Sequence, residues 1–237
     1  LARAAISEGA RVHCNTKIMG LKPSHYGWLA TTESGHSIAA KQVILATDSY
    51  TDGLWPGLAK SLIPVTAQQV ATIPLSENVA RTIVPHGRGT ADRMIFTHYF
   101  RKDLNNRLLM VTGGPSPSPT ALLNHFFPQL GADIRYQYQW NGQVSVSKDK
   151  LPRIYKAAPN LLAVMGYSGR GISSGTLMGK LISDHLLHEE ELPVPTIAIE
   201  RRYFPGIQRI AANFLLNGLR RLDNLDKIRP QKNSQTI

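Results

Sequence analysis

The run Leu161-Leu-Ala-Val-Met-Gly-Tyr-Ser-Gly-Arg-Gly171 constrains the fold more than any other part of the sequence. Five successive apolar residues without polar alternation predict a strand covered on both faces, as in the parallel sheet of an α/β domain. Three closely spaced glycines follow, Gly166, Gly169 and Gly171, and then an amphipathic helix is predicted over 176–188. Glycines remove side chains, so backbone amides can approach a flat or anionic ligand. A helix that starts at such a turn aims its unpaired N–H groups and positive dipole end at that ligand. No Gly-Lys-Ser/Thr follows, so the run is not a phosphate loop, and its spacing is not Gly-x-Gly-x-x-Gly. Taken alone, it also suits a plain tight strand-to-helix turn.

The rest of the chain arranges itself around this unit. Leu1 to Glu8 reads as a helix stopped by Gly9, and a helical start without methionine predicts that an upstream portion lies outside this chain. Arg11 to Leu21 reads as a strand and a second short strand, Lys22 to Gly27 as a turn, and Trp28–Thr32 as a strand. Residues 37–42 pair back. Val43 to Thr47 is a short apolar run of the buried parallel type, whose carboxyl end is where ligands lie in open α/β sheets. From Pro64 the pattern becomes antiparallel: strands over 65–73, 94–101, 108–112 and 136–147, with a helix over 120–127. The α/β pattern returns after Asp149. The expected organisation is therefore 1–63 and 148–190 as one α/β domain, 64–147 as an inserted substrate domain, and 191–237 as a helical tail. In that tail Ile207, Ile210, Ala211, Phe214, Leu215, Leu219 and Leu222 fall at helical spacing.

Charge matters to the choice of partner. The formal net charge is +11, and from Glu200 onward eight basic residues face three acidic ones. The basic residues do not form a Lys/Arg tract with interleaved aromatics, so nucleic acid is not the expected partner. A solvated basic surface or a peripheral membrane contact through the 207–222 helix fits better. No stretch is apolar enough to predict a membrane span, and a cytoplasmic location is expected. The single cysteine, Cys14, excludes an internal disulfide and a cysteine metal cluster. His185, His188 and Glu189 stand a helical turn apart but lack a third ligand at sensible spacing, so no metal is expected. Ser173 and Ser174 read as helix-start residues rather than nucleophiles.

Several segments, taken in order, resemble one family. They are Gly9-Ala-Arg-Val-His-Cys-Asn-Thr-Lys-Ile18, Val43-Ile-Leu-Ala-Thr-Asp-Ser-Tyr-Thr51, Trp140-Asn-Gly142 and Gly166-Tyr-Ser-Gly-Arg-Gly171. Their order and approximate spacing resemble the FAD-dependent D-amino-acid-oxidase-type (DAO) oxidoreductases. Tyr99-Phe-Arg with Asn106-Arg-Leu-Leu, and Gln139-Trp-Asn-Gly with Asp149 and Pro152, resemble the gamma-glutamylputrescine oxidoreductases within that superfamily.

The resemblance implies an α/β fold: part of a Rossmann-like, glutathione-reductase-type FAD-binding domain with an inserted antiparallel-sheet substrate domain. It implies FAD as cofactor and oxidation of a C–N bond in a small amine or amino acid. By the same resemblance Ile18 contacts the adenosine end through its backbone. Ala46 and Thr47 lie beside the cofactor, Gly142 joins the cofactor-binding set, and Gly169, Arg170, Gly171 and Ile172 border the flavin. Arg170, between two glycines with no core to serve, is the first catalytic candidate. Tyr99 is the second, with Arg101 near it.

Three departures qualify the likeness. The pyrophosphate fingerprint Gly-x-Gly-x-x-Gly is absent from these residues. An arginine that takes the substrate carboxylate in glycine-oxidase-like members falls at Val144, which favours an amine of the gamma-glutamylputrescine kind. The covalent branch attaches flavin through a cysteine near Trp140; Cys14 is far from it in sequence, so FAD is expected to be non-covalent. Two other readings keep the scaffold: a membrane-associated amino-acid dehydrogenase, and a non-catalytic binding protein.

Overall fold

Short strands separated by turns rich in glycine and asparagine govern the chain. The structure is a computed structural model that describes residues 1–93, 97–113, 117–147 and 149–199. In chain order, α1 (Ala2–Ser7) is followed by β1 (Ile18–Ser24), β2 (Gly27–Thr32), β3 (Ser37–Ala40) and β4 (Val43–Leu45). Then come β5 (Ile63–Thr72), α2 (Glu77–Thr82), β6 (Thr90–Ala91), β7 (Tyr99–Lys102), β8 (Leu108–Gly113), α3 (Pro119–Phe126) and β9 (Tyr136–Val146). β10 (Arg153–Ala158), β11 (Leu161–Met165), α4 (Gly171–His188) and β12 (Thr196–Ile197) complete the order. Two compact units result, one from 1–62 with 147–199 and one from 63–146 among the described residues.

In the first unit, β11 pairs parallel with β4 on one side and antiparallel with β10 on the other, and the sheet order is β12-β10-β11-β4. Every residue of β11 is buried. Leu161, Ala163 and Met165 join Trp28, Leu45, Leu58, Leu62 and Tyr155 in one apolar cluster. Leu162 and Val164 join Ile154 and the α4 residues Met178 and Ile182 in another. The strand is thus covered on both faces, which is why its residues do not alternate. A separate antiparallel sheet, β1-β2-β3, is tied in by Trp28, whose indole N–H donates to the Pro159 carbonyl at 3.0 Å. A turn at Thr32 sets the β2–β3 register: its Oγ1 accepts the His36 N–H at 3.0 Å.

The second unit is a five-stranded sheet in the order β6-β7-β8-β5-β9, antiparallel throughout. One face carries Val70, Phe100, Leu108 and Met110, which pack with Ile83, Leu122 and Leu123. Helix α3 begins cleanly because Ser118 Oγ accepts the Ala121 N–H at 3.3 Å and Pro119 supplies a helical φ at the first position.

The fold is α/β with a partial FAD-binding-type sheet, and it departs from the sequence expectation in detail. Residues 11–17 form no strand: among the described residues no strand ladder includes them, although the Lys17 carbonyl accepts the Glu33 N–H at 2.9 Å. β1 runs through Lys22 and Pro23 to Ser24, so the predicted turn shrinks to His25–Tyr26. β10 and α2 are additional. Helix α4 starts at Gly171 rather than Thr176, taking in two poor helix formers because burial of Met178 and Ile182 fixes its line. Residues 94–96 and the predicted 207–222 helix lie outside the described residues. Among the described residues no helix is long and apolar enough to cross a membrane.

Since Leu161 is fully buried in the cluster that holds Trp28, Leu161→Ala is expected to lower stability by about 2–5 kcal/mol. Urea unfolding followed by Trp fluorescence checks this; the midpoint should fall without a change of slope.

Candidate functional site

The carboxyl ends of β4 and β11 come out side by side: Leu45, the last residue of β4, pairs with Ala163, two residues before β11 ends. After β11 the chain turns a corner. Gly166 is buried with φ +84°, and a Cβ there would stand 3.2 Å from Leu62 Cδ2 and 3.3 Å from Ser147 Cβ. Ser168 is also left-handed, at φ +52°. Its hydroxyl accepts the Ser147 N–H at 3.2 Å, while Ser147 Oγ donates to the Leu151 carbonyl at 2.8 Å. Gly169 has φ +84° but open space around it.

Helix α4 then begins. The Ser174 N–H donates to the Arg170 carbonyl at 3.1 Å, so the amides of Gly171, Ile172 and Ser173 precede the first intrahelical bond. Over eighteen residues the helix brings its positive end to this point. Arg170 is exposed, its Nη1 only 3.4 Å from the Lys150 carbonyl, and Ile172 is 93% exposed. Ala46 and Thr47 are exposed at the end of β4, where the Thr47 and Thr51 hydroxyls lie 2.7 Å apart. The first unit therefore gathers Ala46, Thr47, Gly169, Arg170, Gly171 and Ile172 around two neighbouring strand ends. Ile18 is half-buried at the start of β1, outside that gathering.

Tyr99 and Gly142 belong to the second unit and share a sheet face there. Tyr99 pairs with Val111, Val111 with Gln69 and Gln69 with Trp140. Gly142 pairs with Ala67, two residues along the same strands. Directly paired residues point the same way, so this face carries Tyr99 (57% exposed) and Trp140 (44%) opposite the face that holds Phe100 and Met110. Arg101 falls on it through Leu109, Ala71 and Tyr138. Val144 is half-buried opposite Val65.

Two groups escape the sequence reading. Asp48 Oδ1 accepts the Gly166 N–H at 2.9 Å. Tyr167 is half-buried; burial, and secondly the Asp48 charge, pushes its phenol up, so it stays a neutral donor at physiological pH. The positive φ of Asp48, +45°, has no sequence signal beyond the tolerance of Asp for that region. Nearby, the Leu151 N–H and then Arg153 hold the Asp149 carboxyl below its usual range.

Free helix-start amides, an exposed cation and an exposed apolar side chain suit a flat ring with a polar, anion-stabilised edge. That donor set fits the isoalloxazine end of FAD. Among the described residues there is no cluster of three or more His, Cys, Asp or Glu that could hold an ion.

The architecture is that of a nucleotide-binding-type α/β sheet interrupted by an antiparallel unit. Residues 1–185 match the FAD dependent oxidoreductase (DAO) family, and the chain belongs to it. It is 29% identical over 191 residues to "Gamma-glutamylputrescine oxidoreductase" of Escherichia coli, covering 76% of this chain and 45% of that protein. It is 24% identical over 200 residues to "Probable oxidoreductase OrdL" of Haemophilus influenzae, covering 81% and 46%. The chain thus spans about half the length of these relatives. The fold is similar to glycine oxidase from Geobacillus kaustophilus (TM-score 0.64, 22% identity, 85% of this chain and 56% of that one). It is also similar to Amadoriase I from Aspergillus fumigatus (TM-score 0.61, 18% identity, 81% and 50%).

The corner distinguishes its glycines. Gly169→Ala meets no neighbour and is expected to cost about 1 kcal/mol from its positive φ alone. Gly166→Ala adds contact with Leu62 and Ser147 and is expected to cost about 2–4 kcal/mol. Urea titration of both variants checks the order.

Proposed function

We propose that this chain contributes the flavin-facing corner and the substrate sheet of an FAD-dependent oxidoreductase that oxidises a C–N bond of a small amine or amino acid. The observation that carries this is the corner at Gly166–Gly171, set where β4 and β11 end and where α4 begins. When bound, FAD would supply the two-electron oxidising chemistry for that C–N bond. The chain supplies placement and electrostatics. The amides of residues 171–173, the α4 dipole and Arg170 favour negative charge at the ring edge. Ala46, Thr47, Gly169 and Ile172 let the ring approach closely, and Ile18 completes the first unit's cofactor contacts in this reading.

On the substrate side, Tyr99 lies on the exposed sheet face with Trp140 and Arg101. An aromatic face binds an alkyl amine by apolar contact, and by cation–π attraction where the amine is charged. We favour a substrate like gamma-glutamylputrescine over a simple amino acid. The E. coli relative with that name supports it, as does Val144 where a carboxylate-binding arginine would otherwise stand. The single cysteine, Cys14, is exposed and lies in the first unit, which supports non-covalent FAD. It also suits a reducing compartment, and we place the protein in the cytoplasm.

The test uses the flavin-loaded full-length protein, mixed anaerobically with gamma-glutamylputrescine, glycine and sarcosine. Fast bleaching of the flavin by the first, slower or no bleaching by the others, and complete release of flavin by acid are expected. Failure of every amine and amino acid to bleach it would sink the reading. Arg170→Met keeps the reach and removes the charge. Loss of a charge-assisted contact of about 1.5–3 kcal/mol should slow bleaching roughly ten- to a hundred-fold. The melting temperature should barely move, because Arg170 is exposed. Unchanged kinetics with a large fall in melting temperature would make Arg170 structural.

A further inference from the structure

The corner is held from a distance by an acidic side chain. Asp48 opens the turn at the carboxyl end of β4 with φ +45°, a conformation uphill for any residue with a Cβ. The turn around it is tightly made: the Thr51 N–H and Oγ1 both donate to the Asp48 carbonyl, at 3.1 and 2.7 Å. Thr51 Oγ1 also lies 3.2 Å from Met165 Sδ, on the last residue of β11. From this turn the Asp48 carboxylate reaches across 118 positions of sequence to take the Gly166 N–H at 2.9 Å. That amide is the first after β11, and Gly166 is buried. A buried amide without an acceptor is costly, and a carboxylate is a stronger acceptor than a neutral oxygen.

We propose that Asp48 is a positioning residue for the Gly166–Gly171 loop: by accepting the Gly166 N–H, its carboxylate locks together the exits of β4 and β11. The lock fixes the conformation in which the first amides of α4 and Arg170 stand exposed. Other contacts hold the loop two and four residues further along, Ser147 to Ser168 and Arg170 to the Lys150 carbonyl, whereas Gly166 is its first residue. Asp48 acts at the corner itself. Tyr167, the next residue of the loop, has its phenol raised by burial and then by the nearby Asp48 charge. The functional consequence rests on the flavin-facing reading; the lock rests on geometry alone.

Two substitutions separate the carboxylate from the backbone. Asp48→Gly relieves the positive φ and removes the acceptor; Asp48→Asn tolerates that φ and keeps a neutral acceptor oxygen. Amide hydrogen exchange is measured on the full 237-residue chain beside a urea titration. Gly166 should exchange about tenfold or more faster in Asp48→Gly, and only a few-fold faster in Asp48→Asn. The urea midpoint of either variant should move little. Equal Gly166 exchange in all three proteins, or Asp48→Asn as fast as Asp48→Gly, would overturn the lock. Flavin bleaching by amine in the FAD-loaded full-length enzyme then tests its consequence, with about tenfold slowing expected in Asp48→Gly and near-normal rates in Asp48→Asn. If exchange responds as expected and bleaching does not, the lock stands and the flavin-facing reading of the loop fails.

Discussion

The burial of β11 on both faces is the constraint on which the first unit depends. One side of the strand closes on Trp28, Leu58 and Leu62, the other on Met178 and Ile182 of α4. Because both faces are occupied, the strand cannot rotate or slip by a residue without placing its apolar set wrongly. Its parallel pairing with β4 is fixed in the same stroke, since Leu45 enters the cluster that holds Leu161, Ala163 and Met165. Core packing thus places the two strands, and the Asp48–Gly166 hydrogen bond then ties their exits together. That is how a rigid scaffold can present a site built largely from backbone.

Crowding governs the exit itself. Gly166 turns with positive φ where a Cβ would stand 3.2 Å from Leu62 and 3.3 Å from Ser147, so a side chain there would press on both. Three residues on, Gly169 has the same φ in open space. The first glycine answers to the core, the second to the chain's need to double back before α4. Only after both turns does the helix begin, with its line set by Met178 and Ile182. Packing thus sets the line of α4, while the loop before it, tied at Gly166 to Asp48, leads into the amides of residues 171–173.

These causes explain what the sequence discloses. The five apolar residues of β11 and the glycines after it are local signals, legible because each depends on its own surroundings of a few residues. The start of α4 is not legible: Gly171 and Gly175 argue against helix, and burial several residues downstream overrides them. Residues 11–17 contain strand-prone Val12 and Thr16, yet no strand ladder among the described residues includes them. Strand propensity without a neighbour makes no strand. Asp48 is hidden for a different reason. Its partner is 118 positions away, and an aspartate in a Thr-Asp-Ser-Tyr run reads as an ordinary turn residue. The common face of Tyr99, Trp140 and Gly142 likewise follows from register across β7, β8, β5 and β9, which no single segment encodes.

The electrostatics of the corner raise a question of sign. The α4 end and Arg170 are positive, while Asp48 brings a negative charge to the same neighbourhood. A carboxylate left free there would work against any site meant to stabilise an anion. It is not left free: one oxygen takes the Gly166 N–H, so part of its field falls on a buried backbone dipole. Arg170 is oppositely placed, exposed and in long contact with the Lys150 carbonyl. The acid is engaged in structure and the base is left available. The corner can therefore remain electropositive toward a ligand although an acidic side chain helps to hold it in shape.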